Sequence, residues 1–294
     1  MIHPFARCVS KLAFVIPVLV ACQIPPGHTY DGHNPAATKV STQYGPNSYQ
    51  MMDTYTAGVQ TAGTVLFVHG GAWSAGSRAE LPATLLSLVE YGWKVASIDY
   101  ALSCTDPSIL ACRGAKLEDE LADVYLAAKV LGPTIVAGFS AGGHLANLVA
   151  LTNHFDRSTG TAAVFEGYVN LNGPTDFAAA LADDRPVFFG FSIGSFARTV
   201  NGPLSPELYS PVTYLQQWSV PGFVVHGVDD TVIPVATQHE PYIAKAEGFS
   251  TYLVAHQVAG EAHAINGVNY QQLVTWVTVV HQQFIANYNL PDVS

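Results

Sequence analysis

Positive charge is what this sequence has least of. Lys and Arg together number 12 among 294 residues, against 22 Asp and Glu, and the formal net charge is −10. No run of Lys or Arg breaks the acidic background, so the electrostatic footprint of a nucleic-acid-binding protein is missing. Charge of either sign is scarce as well. Charged residues make up 12% of the chain and hydrophobic ones 49%, which excludes a disordered chain and suits one large, well-buried domain. There is no repeat with a period of about 20–50 residues and no heptad pattern, which excludes solenoids and coiled coils. The apolar stretch at residues 12–21 falls short of the roughly 20 residues that a membrane helix needs. Cysteine is limited to Cys8, Cys22, Cys104 and Cys112, and their spacing matches no zinc site.

What is present at the N-terminus reads as a targeting signal. Arg7 and Lys11 precede an apolar stretch of signal-peptide length. It ends in Leu19-Val20-Ala21-Cys22, which resembles the lipobox of bacterial lipoprotein signals, where the cysteine is lipidated and becomes the mature N-terminus. Residues 1–22 are therefore expected to be a lipoprotein-type signal, with Cys22 the lipidation site. Residues 23–45 are polar and rich in Pro and Gly, as a tether would be, which leaves 46–294 for one folded domain. The expected location is the bacterial envelope, at the outer membrane or its periplasmic face, or outside the cell if Cys22 is not lipidated. Membrane contact is then expected only through the lipid. Losing Arg7 and Lys11 leaves ten basic residues against 22 acidic ones, a mature net charge of −12. Export also places Cys104 and Cys112, in "SCTDPSILACRG", in an oxidising compartment. Two nearby cysteines in a Pro-containing loop there point to a local disulfide.

The rest of the chain alternates short apolar runs with helical patterns. "TVLFVHG" at 64–70, "KVASIDY" at 94–100, "TIVAGF" at 134–139, "GYVNLNG" at 167–173, "GFVVHG" at 222–227 and "TYLVAHQV" at 251–258 read as strands. Helical patterns lie near 79–91, 116–131, 140–152, 235–247 and 269–287. This order predicts an α/β fold with a mostly parallel central sheet and helices on both faces. "YQMMDTYTA" near Tyr49 fits an added antiparallel edge strand. Chemistry in such sheets sits at the carboxyl ends of the strands.

One such end holds Gly138-Phe139-Ser140-Ala141-Gly142, a G-x-S-x-G pattern between a strand and a helix. A sharp turn there pushes a serine hydroxyl out over the sheet, and the glycines remove side chains that would collide. Serine needs a base to act as a nucleophile. Among the later histidines, His263 follows the last strand in "GEAHA", where a loop can carry its ring over the sheet. His256 lies inside that strand and reads as a packed residue. His144, one turn after Ser140, reads as structural. The orienting acid belongs after "GFVVHG", where Asp229 and Asp230 both fit, and position alone does not separate them. Backbone N–H groups of Gly71, Ala72 and Ala141 are the candidate oxyanion hole, since "HGG" follows the first central strand. Trp73 is a candidate wall of the substrate site. The aromatic run at 187–196 fits either an acyl pocket or a small helical lid.

Together, "HGGAW", "GFSAGGHLA", "GPTDF", "YSPVTYL", "VVHGVDDTVIP" and "AGEAHA" resemble, in that order, the α/β-hydrolase superfamily. The branch is that of small bacterial serine esterases, feruloyl/acetyl-esterase-like and related to the hormone-sensitive-lipase group. The resemblance covers about residues 48–290. It implies the α/β-hydrolase fold, with Ser140 as nucleophile, Asp230 as acid and His263 as base. It further implies hydrolysis of short-chain acyl or aryl esters, with acetyl and feruloyl groups on carbohydrate among the candidates. The implied partner is a small-molecule ester, and no metal or organic cofactor is implied. Three features depart from the pattern. Phe139 stands where many relatives carry His, the loop of Cys104 and Cys112 is long, and the N-terminal stretch is short for a full helical cap. Two rival readings are a kynurenine-formamidase-like amide hydrolase, suggested by "HGGAW", and a ligand-binding surface lipoprotein without catalysis. The export signal argues against the first, and the complete set of triad residue types against the second.

Overall fold

The computed structural model describes residues 7–8, 36–58, 62–152, 164–188, 191–216, 219–249, 252–264 and 268–288. Its strands, in chain order, are β1 (Arg7–Cys8), β2 (Thr38–Gln43), β3 (Met51–Thr56), β4 (Thr64–Val68), β5 (Lys94–Ile98), β6 (Thr134–Phe139), β7 (Phe165–Leu171), β8 (Pro186–Phe188), β9 (Phe191–Ser192), β10 (Gly222–Gly227) and β11 (Leu253–Val258). Its helices are α1 (Ala83–Leu86), α2 (Leu117–Leu131), α3 (Ala141–Thr152), α4 (Phe177–Leu181), α5 (Ile193–Val200), α6 (Pro211–Tyr214), α7 (His239–Gly248) and α8 (Tyr270–Tyr288).

Nine strands form one sheet in the order β1-β11-β10-β7-β6-β4-β5-β3-β2. The six strands expected from the apolar runs are β4, β5, β6, β7, β10 and β11, and all of them run parallel. β3 is the antiparallel addition expected near Tyr49. The fold is the mostly parallel α/β-hydrolase sheet.

Alternation along each central strand sorts its side chains between two cores. In β4, Leu66 and Val68 join a core with Leu121 and Val124 of α2, Leu145 and Val149 of α3, and Tyr242 of α7. Val65 and Phe67 face the other way, into a core with Leu85 of α1 and Leu273 and Val277 of α8. A fully buried side chain such as Phe67 contributes on the order of 2 kcal/mol. The helices follow from the same pattern, with local exceptions. The periodic stretch at 79–91 is broken, because Pro82 has no N–H to donate and Leu81 before it is extended. Gly92, at φ +79°, ends the 3₁₀ turn that follows α1.

One boundary differs from the sequence reading. β2 lies within the stretch read as a tether. Its residues are polar because it is an outer strand, exposed along its whole length, and it is held by backbone pairing to β3. The folded domain therefore begins upstream of residue 46. Arg7–Cys8, inside the segment read as a signal, pairs antiparallel with β11. The rest of 1–35, including Cys22, lies outside the described residues.

Residues 172–188, 191–216 and 219–221 lie between β7 and β10 in the chain. The aromatic run at 187–196 divides here into the end of β8, β9 and the first half of α5. Ile193, Ala197 and Val200 are buried, while Phe191 is exposed and sits 6.0 Å from the ring of Phe196.

Candidate active site

Ser140 occupies the turn between β6 and α3 with φ at +53°, in the left-handed region that a non-glycine residue enters only at a cost. The turn is held at both ends. The Ser140 N–H donates to the Leu171 carbonyl at 2.9 Å, and its carbonyl accepts from the His144 N–H at 3.0 Å. The flanking glycines are required by contact. A Cβ on Gly138 would lie 2.1 Å from the Gly142 carbonyl oxygen, and one on Gly142 would lie 2.1 Å from that of Val68. Only glycine lets the elbow close this tightly.

His263 reaches Ser140 from the loop after β11. Its Nε2 stands 2.9 Å from Ser140 Oγ, and its Nδ1 stands 2.8 Å from Asp230 Oδ2. A carboxylate only accepts, so Nδ1 carries the proton and Nε2 is left to receive one from the hydroxyl. The Phe139 ring packs against the imidazole with centroids 5.1 Å apart. Asp230 is buried, and its Oδ1 accepts the N–H groups of Val232 at 2.8 Å and Ile233 at 2.9 Å. Burial pushes its pKa up. Hydrogen bonds from His226 and His263, with the Ile233 N–H, outweigh that and hold the carboxyl well below the usual carboxylate range. Asp229, the other aspartate left open by position, is exposed on the turn. His256 remains in β11 against the Phe223 ring.

The loop after β4 lies beside the serine. A Cβ on Gly70 would come within 3.3 Å of Ser140 Cβ. Gly71, Ala72 and Trp73 all have positive φ, at +111°, +51° and +60°. The N–H groups of Gly71, Ala72 and Ala141 make no turn or loop hydrogen bond among the described residues. His69 braces this loop. Its Nδ1–H donates to the Gly70 carbonyl at 2.7 Å, and its ring stacks on Tyr100 at 4.4 Å. Burial lowers its pKa to about 4, so it is neutral here.

Trp73 does not wall the site. It is fully enclosed, donates from Nε1 to His144 Nδ1 at 3.3 Å, and meets Phe177 edge-on at 5.7 Å. Trp73 has a positive φ, and its indole belongs to the buried core that holds Leu66, Val68 and Leu145. His144 is structural, as read. Its Nε2–H donates to the Tyr209 carbonyl at 2.7 Å, and burial lowers its pKa to about 4. Cys104 and Cys112 are disulfide-bonded. The Ser103 N–H beside them donates to the Trp73 carbonyl at 2.8 Å, which ties the disulfide loop to the glycine loop. A separate hollow of about 410 Å³ beside that loop is lined by Asn47, Tyr49, Ala101, Arg113, Ala115 and Asp119, and contains no residue of the Ser–His–Asp chain.

This arrangement belongs with a sequence match to the BD-FAE family over residues 52–241. The chain belongs to the BD-FAE family. Two relatives of this BD-FAE chain come from Mycobacterium tuberculosis (strain ATCC 25618 / H37Rv). Esterase LipC is 27% identical over 246 residues, covering 76% of this chain and 59% of LipC. Esterase LipQ is 27% identical over 249 residues, covering 78% of this chain and 57% of LipQ. The chain thus spans under two thirds of each relative's length. Among solved structures, esterase B from Lactobacillus rhamnosis superimposes with a TM-score of 0.69 at 15% identity, covering 88% of this chain and 92% of that one. A truncated carbohydrate esterase from gut microbiota gives 0.66 at 18% identity, covering 85% and 97%. At these identities the structural likeness speaks to the fold.

Two residues of this BD-FAE site escaped the sequence reading. His226 Nε2 lies 3.3 Å from Asp230 Oδ2 and 2.7 Å from the Ile233 carbonyl. It ends a strand and looks like one more packed histidine. Asn172 stands at the end of β7 with φ at +51°. Asparagine just past a strand, followed by glycine, was the available signal, since Asn tolerates the left-handed region.

Proposed function

We propose that this protein is a serine carboxylic ester hydrolase acting on short-chain acyl or aryl esters, with Ser140, His263 and Asp230 as its triad. The observation that carries the reading is the unbroken hydrogen-bond chain from Ser140 Oγ through His263 to Asp230, mounted on a strained elbow. The names of LipC and LipQ support the same reaction class.

In this reading His263 Nε2 takes the hydroxyl proton as Ser140 Oγ attacks the ester carbonyl carbon. The carbonyl oxygen becomes an anion facing the N–H groups of Gly71, Ala72 and Ala141, each worth about 3–4 kcal/mol in systems of this kind. The intermediate collapses, the carbon–oxygen bond to the alcohol breaks, and His263 gives its proton to the departing oxygen. Water then repeats the cycle on the acyl-serine, releasing the acid and restoring Ser140. Acetyl and feruloyl groups on carbohydrate are the natural esters to screen. Lipidation at Cys22 is the localisation part of the proposal, and loss of fatty-acid labelling in Cys22→Ala tests it.

The test is hydrolysis of p-nitrophenyl acetate, butyrate and octanoate by the mature protein beside Ser140→Ala. The expected result is turnover that falls with chain length and drops at least about 10⁴-fold in the variant, with an unchanged circular dichroism spectrum. A variant as active as the parent refutes the nucleophile. A folded parent that ignores all three esters and cleaves an N-formyl amide moves the reading to a formamidase.

A further inference from the structure

We infer that Asn172 is a positioning residue that locks the histidine loop to the acid-bearing strand, and this rests on the triad reading above. Asp230 follows β10 and His263 follows β11, so the hydrogen bond between them joins two loops that leave different strands. Asn172 belongs to neither. It lies at the end of β7, on the other side of β10, and its side chain reaches both. Its Oδ1 accepts the Gly227 N–H at 2.9 Å, at the last residue of β10. Its Nδ2–H donates to the carbonyl of Ala264, the residue after His263.

Both amide ends are thus used, each with the partner its chemistry requires. The backbone supports the reach. The Asn172 N–H donates to the Val225 carbonyl at 2.9 Å, which fixes the residue on β10 before the side chain extends. The left-handed φ of +51° then turns the side chain across the strand ends. The histidine loop is held from the other side by the Asp229 N–H, which donates to the Glu261 carbonyl at 2.9 Å. His263 therefore sits between two ties, Glu261 before it and Ala264 after it. The tie after it is the side chain of Asn172. Placement of an imidazole between an acid and a nucleophile is steep in distance, and about 1 Å of drift costs about 100-fold in rate.

Two variants separate this role from simple support of the fold. Asn172→Gly accepts the positive φ without strain and removes both side-chain bonds. Asn172→Asp also tolerates that φ and keeps the acceptor for Gly227, but sets a carboxylate oxygen against the Ala264 carbonyl. Each is compared with the parent for kcat and KM on p-nitrophenyl acetate, for thermal unfolding, and for the far-downfield proton of the His263 Nδ1–H···Asp230 bond in one-dimensional NMR. The expected result is a folded protein in both cases, with kcat down about 100-fold, KM near that of the parent, and the downfield proton broadened or lost. A Gly variant that keeps both kcat and the downfield proton overturns the inference. So does an Asp variant that matches the parent in both, or a loss confined to KM. If the parent hydrolyses no ester, the triad reading fails on its own, and the downfield proton still decides whether Asn172 holds the histidine.

Discussion

Asp230 keeps its charge in a buried position because the oxygens that burial strips of water are given donors. Val232 and Ile233 supply backbone N–H groups to one oxygen, and His263 and His226 approach the other. Asp230→Asn keeps the shape but presents an amide, which favours the wrong histidine tautomer. We expect kcat to fall about 10⁴-fold with the fold retained. The same variant has a pH signature. The folded-state pKa of Asp230 lies below the unfolded value of about 3.9, so its contribution to stability is full above that value and is lost as pH falls toward the lower, folded value. Urea unfolding of parent and variant at pH 7 and near pH 3 should show a gap that closes in acid. At this scale sequence and structure divide clearly. Ser140 was legible because an elbow demands small neighbours at fixed spacing. Asp230 and Asp229 are adjacent letters in a turn; position left both open, the family resemblance pointed to Asp230, and burial separates them in the structure. Trp73 misled because an indole beside a glycine loop suggests a pocket wall, whereas it is buried in the core.

Among the elements, the disulfide loop does more than close a bend. Cys104 and Cys112 are eight positions apart, and the bond between them shortens the unfolded chain's freedom by about 2–3 kcal/mol in the loop-entropy account. The Ser103 N–H carries that rigidity to the Trp73 carbonyl, next to Ala72 of the candidate oxyanion loop. On the other side, Ser103 Oγ lies 3.2 Å from Thr199 Oγ1, and Lys116 Nζ donates to the Thr199 carbonyl at 2.6 Å. The loop thus ties the glycine turn to α5. Cys112→Ser should lower unfolding free energy by about 2–3 kcal/mol in a urea titration and reduce kcat on p-nitrophenyl acetate. Thiol titration of the non-reduced parent should detect neither cysteine. The strands and long helices were legible because period 2 and period 3.6 are written in side-chain type. β2 was not, since an exposed outer strand has no apolar face to announce it.

For the whole molecule, the buried histidines set the response to acid. Burial lowers His69 and His144 to about 4 and His239 to about 3, and lowers His256 as well. Each is neutral in the fold and takes a proton on unfolding below its unfolded value of about 6.5. Stability therefore falls as pH drops from about 6.5 toward 4, where the unfolded chain binds more protons. Buried carboxyls act the other way. Burial, with neighbouring acidic groups, raises Glu120 and Asp123. Neither Glu120 oxygen has a hydrogen-bond partner among the described residues. These groups ionise on unfolding and so oppose the histidines. Thermal unfolding across pH 4–7 should show that loss toward acid, and a flat profile would place these histidines in contact with water.

The sequence by itself determined the strands that build the sheet and pointed to the elbow serine and the histidine found 2.9 Å from it, because strand burial and a tight turn restrict residue type locally. Tertiary structure decided where Trp73 points and what Asn172 holds. Those depend on which of several similar side chains is brought together across β7, β10 and β11, and no local pattern records distance between strands.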